Sequence, residues 1–327
     1  MTPDAAVLGL GASLRGIVSV DLTDAALKQS IPQIAKAPES IRAIEDAVRG
    51  LATEHRVFQG DARSLDFLDD GSVQLVVTSP PYWTLKRYVG SKGQLGDIAD
   101  YAEFVAELDR VWQHCLRVLV PGGRLVVVVG DVCLSRREHG RHAVVPLHAS
   151  IQESCRRLGF DNLAPIIWHK IANATFEASG QGGFLGKPYE PNAVLKNDIE
   201  FILMQRKPGG YRSPGLATRL LSVISESNHR EWFQQIWTLP GASTRAHPAP
   251  YPVELAERLI RMFSFAGDTV VDPFLGSGTT SIAAARWGRH SIGVEIEPKY
   301  VELAIRRMRD ELGLMGAARA TIVRARA

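Results

Sequence analysis

Cysteine is scarce in this chain of 327 residues. Cys115, Cys133 and Cys155 are the only three, and no two of them form a CxxC pair. That spacing excludes a disulfide framework and a zinc ribbon, and it points to a reducing, cytoplasmic setting. Long apolar runs are missing as well. The strongest, Leu125 to Val129, falls far short of the roughly 20 residues a membrane helix needs. The amino terminus, MTPDAAVLGL, has no basic segment and carries Asp4, so it does not read as a signal peptide. Neither sign of charge dominates: 38 Lys and Arg stand against 35 Asp and Glu, a net of +3. A balance this mild selects neither a nucleic-acid binder nor a metabolic enzyme. His139, His142 and His148 are not at a metal-binding spacing, and no metal is expected. Internal repeats and low-complexity stretches are absent too.

What is present is ordinary globular composition, 45% hydrophobic and 22% charged. A chain of this length can bury a full core without staples. The first 50 residues hold helical stretches such as Pro38 to Arg49 and no strand-like run, which suggests a helical extension packed on the main body or on a partner. From about residue 56 the pattern alternates. VQLVVT (73–78) is a short β-branched run that ends in a Pro-Pro loop. Phe104, Val105, Leu108, Val111, Trp112, Cys115, Leu116 and Leu119 follow helical spacing up to Pro121-Gly122-Gly123. Strands are predicted at 123–131, near LAPIIWHK, over 197–207, at 269–274 and at 290–296, with helices near 146–158, over 279–287 and from Pro298 onward. Strands alternating with helices imply an α/β fold with a mostly parallel sheet. Two stretches break the alternation: the Gly-, Asn- and Pro-containing 171–196, and the polar, basic 208–246. Loops of that length are usually functional or disordered.

Two motifs carry chemistry. The first is Asp272-Pro-Phe-Leu-Gly-Ser-Gly-Thr-Thr280, between a buried strand and a helix. Gly276 and Gly278 permit a tight turn and a close backbone approach to a ligand. The helix behind them presents free N–H groups. Glu295 ends the next strand, where an acid can hold the two hydroxyls of a ribose. A nucleoside cofactor is implied. With no third glycine and no Gly-Lys-Ser/Thr, neither a dinucleotide fingerprint nor a phosphate loop is matched, and S-adenosylmethionine and NAD both stay open. The second motif is Thr78-Ser79-Pro80-Pro81-Tyr82-Trp83. Consecutive prolines make a stiff extended loop that fixes carbonyl oxygens and a hydroxyl in place, with an aromatic face beside them. Such a loop suits a planar base whose exocyclic amine is held by acceptors.

Together, TSPPYW and DPFLGSGTT resemble the amino-group DNA methyltransferases of bacterial restriction–modification systems, in the β arrangement that places the catalytic loop before the cofactor loop. The resemblance implies a doubly wound, Rossmann-like methyltransferase sheet with helices on both faces, and S-adenosyl-L-methionine as cofactor. It implies Ser79, Pro80, Pro81 and Tyr82 as the catalytic loop, with Ser at the first position favouring cytosine N4 over adenine N6. Cofactor contacts are implied for Asp61 and Ala62, for His247, Tyr251 and Pro252 ahead of a helix over Val253 to Phe263, for Asp272, Phe274, Gly276, Ser277, Gly278 and Thr279, and for Glu295 and Ile296. On this reading residues 1–55 form the extension, 56–207 and 247–315 the catalytic unit, and 208–246 an inserted target-recognition region to which 171–196 contributes. Arg212, Arg219 and Arg230 are expected to reach guanine edges or phosphates, Trp83 to border the extruded base, and the cluster Arg136, Arg137 and Arg141 is a second phosphate contact. Double-stranded DNA is the expected partner, with a cognate restriction endonuclease and a homodimer as further expectations. Competing readings are an adenine-N6 methyltransferase on the same scaffold, an RNA or protein amide methyltransferase, a non-catalytic DNA-binding protein and a nicotinamide dehydrogenase.

Overall fold

The computed structural model describes residues 24–85, 93–170, 197–242, 250–314 and 320–326. Its centre is a nine-stranded sheet. In chain order the strands are β1 (Thr53–Gln59), β2 (Val73–Thr78), β3 (Leu119–Val129), β6 (Asp161–His169), β7 (Ile199–Arg206), β8 (Ile236–Thr238), β9 (Thr269–Asp272), β10 (His290–Glu295) and β11 (Ala320–Arg326). Across the sheet they lie β11-β1-β10-β9-β2-β3-β7-β6-β8. Every pairing is parallel except the two made by β7. A separate two-stranded hairpin, β4 (Val132–Leu134) with β5 (Ala143–Val145), follows β3.

Period-two alternation sorts the central strands between two apolar layers. Val76, Leu125, Val127 and Val129 face one layer, shared with Phe104, Leu108 and Trp112 of helix α3 (Tyr101–Val118) and Ile151 and Cys155 of α5 (Leu147–Leu158). Leu75, Val77, Val126 and Val128 face the other, shared with Leu255 and Leu259 of α8 (Val253–Phe263) and Ala283 and Ala284 of α9 (Thr279–Arg286). Asp100 caps α3, its side chain accepting from the Glu103 amide. This is the doubly wound, Rossmann-like architecture that the alternation implies.

Direction reverses at the middle of the sheet. From β9 the chain passes through α9 to β10 on one side, while from β2 it passes through α3 to β3 on the other. β9 and β2 are neighbours, with Val271 opposite Val76. The crevice beyond their carboxyl ends is the topological switch point where ligands of such sheets bind. It brings together loops almost two hundred residues apart in sequence.

Three boundaries differ from expectation. The extension does contain helices, α1 (Asp24–Lys36) and α2 (Pro38–Arg49), and they pack on the body: Ile34, Ile41, Ile44 and Val48 share a cluster with Leu220, Leu221 and Ala266. The sheet itself begins earlier, at Thr53, and ends later, with β11 pairing β1 beyond residue 315. Residues 208–242 pack against the main body. Helix α6 (Leu216–Leu220) packs on the extension, and after α7 (Glu226–Trp232) strand β8 completes the sheet beside β6, with Trp232 and Trp237 buried in its core. Pro121-Gly122-Gly123 does not stop α3, which already ends at Val118. It lies at a register shift in β3, where the Gly122 amide donates to the Lys207 carbonyl.

Candidate active site

At the switch point lies a cavity open to solvent, with an enclosed volume of about 70 Å³. Asp61 and Ala62, from the loop after β1, form one side. Gly93, Gln94 and Leu95 form a second. Phe274 and Gly276 come from the loop after β9, Glu295 and Ile296 from the end of β10. Ser79 and Pro81, from the loop after β2, close the remaining side. The two loops singled out in the sequence therefore border one cavity.

The β9 loop is shaped by the buried carboxylate of Asp272. One oxygen accepts from the Thr78 hydroxyl at 2.6 Å and the Phe274 amide at 3.0 Å; the other accepts from the Thr280 hydroxyl at 2.6 Å and the Tyr251 hydroxyl at 3.3 Å. Burial pushes its carboxyl above the ordinary carboxylate range, and the four hydrogen bonds oppose that rise. Tyr251 and Thr280 are also bonded to each other. Burial, followed by the Asp272 charge, raises the Tyr251 phenol well above its usual value. Gly278 turns into α9 with φ of 83°, a left-handed conformation, and a Cβ there would lie 3.1 Å from that of Ala304. From behind, Arg307 donates to the Ser277 carbonyl and hydroxyl.

Glu295 reaches across the base of the cavity. Its carboxylate accepts from the Gly276 and Glu297 amides, both at 2.9 Å. Burial nevertheless raises its pKa to about 7. Asp61 behaves oppositely. Burial alone would raise its carboxyl, but its hydrogen bonds with Arg63 hold it below the ordinary value. Arg63 also donates to Glu107 of α3 and to the Gly93 carbonyl, so one guanidinium ties two cavity walls to the helix. Arg63, Gly93, Gln94 and Leu95 were not foreseen from the sequence. The Asp-x-Arg spacing at 61–63 was the available signal.

In the β2 loop, the Ser79 hydroxyl donates to the Tyr82 hydroxyl over a long 3.4 Å. Tyr82 is buried, with its ring edge against the Cα of Gly130. Trp83 has φ of 46°, rare for a bulky residue. It is pinned there by its indole N–H, which donates to the Ile98 carbonyl at 2.9 Å, and by edge-on packing against Tyr101. Trp83, expected to border an extruded base, is not among the residues that line the cavity, and these two contacts brace the loop. Beside it, Asp131 is bonded to His148 at 2.6 Å, and His148 stacks on Phe201.

Of the expected cofactor contacts, Asp61, Ala62, Phe274, Gly276, Glu295 and Ile296 line the cavity, whereas Tyr251, Pro252, Asp272, Ser277, Gly278 and Thr279 stand behind it. Of the expected catalytic residues, Ser79 and Pro81 line it directly. His247 and the 171–196 segment lie outside the described residues. The three arginines expected on DNA lie away from this cavity. Arg212 makes a paired contact with Asp268, at 2.9 and 2.5 Å, just before β9 and so at the amino ends of the strands. Arg219 lies on α6 beside the extension, and Arg230 pairs with Glu226 ahead of β8. All three sit on the side of the sheet away from the cavity.

Residues 73–306 match the N6_N4_Mtase family, described as DNA methylase. The Type II methyltransferase M.MjaI of Methanocaldococcus jannaschii is 36% identical over 278 residues, which span 76% of this chain and 88% of that protein. TTHA0409 of Thermus thermophilus, a putative DNA modification methylase solved in complex with S-adenosyl-L-methionine, is 51% identical with a TM-score of 0.68, over 83% of this chain and 98% of that one. The PvuII DNA methyltransferase, at 20% identity and a TM-score of 0.58 over 84% of this chain and 96% of that one, shares the fold. By its sequence match and its switch-point site, the chain belongs to the N6/N4 DNA methylase family.

Proposed function

We propose that this protein transfers the methyl group of S-adenosyl-L-methionine to the exocyclic N4 amine of a cytosine turned out of double-stranded DNA, as the modification enzyme of a restriction system with a cognate endonuclease. The observation that carries the reading is the shared cavity: Ser79 and Pro81 border the space lined by Gly276 and Glu295.

The cavity's residues fit the cofactor. Glu295 offers carboxylate oxygens, anchored by two amides, to the paired hydroxyls of a ribose. Phe274, Leu95 and Ile296 give apolar walls for a flat adenine, and Asp61 and Ala62 border it. Bound there, S-adenosylmethionine supplies a methyl group activated by a sulfonium.

The protein's own part is to prepare the amine. The lone pair of a nucleobase amine is delocalised into the ring and is a poor nucleophile. Acceptors on its two N–H bonds favour a tetrahedral nitrogen and release that lone pair. The Pro80 carbonyl is one acceptor and the Ser79 hydroxyl the other. Because Ser79 directs its own proton to Tyr82, its lone pairs remain to accept. The two prolines keep these acceptors from relaxing, so positioning supplies most of the acceleration. Turning the base out costs about a few kcal/mol, offset by stacking on the loop's aromatic face.

The test is mass spectrometry of nucleosides from unmethylated plasmid DNA incubated with the protein and S-adenosylmethionine. N4-methylcytosine is expected. N6-methyladenine would keep cofactor and fold and overturn the base assignment. No methylated base on several DNAs would overturn the reading altogether.

A further inference from the structure

The hairpin of β4 and β5 leaves the sheet at Asp131, directly after β3, on the rim that carries Ser79 at the end of neighbouring β2. Its root is fixed. Val132 is buried, and Leu134 and Val145 pack into the cluster that also holds Tyr82 and Trp83. Its tip, Ser135 to His142, carries Arg136, Arg137, Arg141, His139 and His142 against one acid, Glu138. The tip is ordered rather than trailing: a helical turn, Arg136–His139 (α4), closes through the Gly140 amide donating to the Arg136 carbonyl at 2.9 Å, and Gly140 then turns with φ of 73°. Both Arg137 and Arg141 are exposed.

The charge balance of the rim makes this tip distinctive. Three carboxylates near the hairpin are already matched: Asp131 with His148, Glu200 with Lys170, and Asp198 with His169. Many arginines elsewhere are matched too, as Arg212 with Asp268, Arg258 with Glu231 and Arg286 with Glu257, though the exposed Arg42, Arg306 and Arg309 pair with no carboxylate among the described residues. Among the described residues no carboxylate pairs with Arg137 or Arg141. A rigidly rooted loop that holds uncompensated guanidinium groups on the rim of the β2 loop fits a polyanion, whose phosphates accept bidentate hydrogen bonds. A solvated charge run would not need a fixed base of apolar and aromatic neighbours.

We infer that this hairpin is the phosphate-binding finger of the protein, gripping the DNA backbone beside the extruded base through Arg137 and Arg141. The inference rests on the DNA methyltransferase reading above. It moves the backbone contact from 208–246, whose arginines face away from the cavity, to a segment on the catalytic rim. Phosphate contacts fix register without reading sequence, so the finger supplies affinity and placement, not target choice.

The test uses the full chain, with Arg137→Ala and Arg141→Ala combined. A matched control combines Arg49→Ala with Arg156→Ala, two exposed arginines at the amino-end side of the sheet. Binding to a fluorescein-labelled duplex of mixed sequence is followed by anisotropy over a salt series, and methyl transfer to plasmid DNA by kcat and KM. For the finger variant the slope of log affinity against log salt should become shallower by about 1.8, or about 0.9 for each phosphate no longer neutralised. Its KM for DNA should rise about tenfold while kcat and S-adenosylmethionine binding stay at wild-type values. Arg137→Lys with Arg141→Lys should restore the salt slope, which counts charge, but only part of the affinity, since the bidentate contact is lost. A wild-type slope and KM in the finger variant would overturn the inference while leaving methyl transfer intact. So would an equal loss in the control, or failure of the Lys pair to restore the salt slope. If the wild-type protein methylates no DNA, the underlying reading falls and the finger with it.

Discussion

The loops after β2 and β9 leave neighbouring strands at the same rim, yet they spend their side chains in opposite ways. In 78–83 Ser79 and Pro81 line the cavity, while Trp83 braces the loop through its bond to Ile98. In 272–280 the side chains of Asp272, Ser277, Thr279 and Thr280 are buried behind the cavity, and mainly Phe274, Pro273 and the Gly276 backbone meet it. On the function proposed above, one loop does its work with a hydroxyl. The other does it with backbone shape, held by a carboxylate that never reaches the ligand space. Proximity of a motif residue to the chemistry is therefore a poor guide to its role. The direction of its hydrogen bonds separates the two cases.

Asp272 gives the sharpest test of that division. Replacing it with Ala leaves buried donors from Thr78, Thr280 and Phe274 without their acceptor. Each such group costs about 1–3 kcal/mol when left unpaired. Summed with allowance for coupling, Asp272→Ala should lose about 3–5 kcal/mol of stability, read by denaturant unfolding. Asp272→Asn keeps one acceptor and should lose less. Ser79→Ala, made on the other loop, should stay within about 1 kcal/mol of wild type. An Asp272→Ala protein of wild-type stability that had lost only cofactor binding would erase the distinction.

The converse effect is expected in turnover. Ser79→Ala should lower kcat about a hundredfold, with the Kd for S-adenosylmethionine unchanged, because it removes an acceptor used only by the reacting amine. Tyr82→Phe keeps the ring and removes the oxygen that receives the Ser79 proton, so it should fall only a few-fold. Single-turnover methyl transfer and cofactor binding, measured side by side, decide this. Equal loss of both quantities in Ser79→Ala would place Ser79 in the cofactor's binding contacts instead.

How much of this was legible in the sequence follows the same physics. β2, β3, β9 and β10 were found because buried parallel strands are short, nearly continuous β-branched runs. Helix α8 runs over Val253–Phe263, the bounds that the resemblance implied. β8 was missed because three residues, Ile236–Thr238, carry no period, and their place is set by pairing with β6. β11 escapes the sequence pattern because its β-branched run, Thr321-Ile322-Val323, is only three residues long and is followed by Arg324 and Arg326. In the site, glycines and prolines announced both loops, since backbone constraint is local. Arg63 and the Gly93–Leu95 wall were hidden because their meeting is made by tertiary contacts with Glu107 and Asp61. The partner of Arg212 is hidden for the same reason: its carboxylate, Asp268, lies 56 residues away in sequence.

Glu295 refines the comparison, since it belongs to neither loop yet joins the β9 loop to the cavity. Its ordinary pKa is 4.5, and in the folded protein burial raises it to about 7. The protonated form is thus favoured by the fold, and this group's contribution to stability declines as pH rises from about 4.5 to about 7. Cofactor binding must run the other way. Ribose hydroxyls donate to the ionised carboxylate, so affinity for S-adenosylmethionine should rise as pH passes upward through about 7. If only the ionised form binds well, the apparent Kd should fall about tenfold between pH 6 and pH 8 and then level off. Glu295→Gln retains one acceptor oxygen but no charge, so its Kd should be flat across that range and about tenfold weaker than wild type at pH 8. Isothermal titration of both proteins at pH 6 and pH 8 is the measurement. A wild-type Kd that does not move, with Glu295→Gln binding equally well, would remove Glu295 from the cofactor site and leave it, like Asp272, as a residue that only shapes the loop.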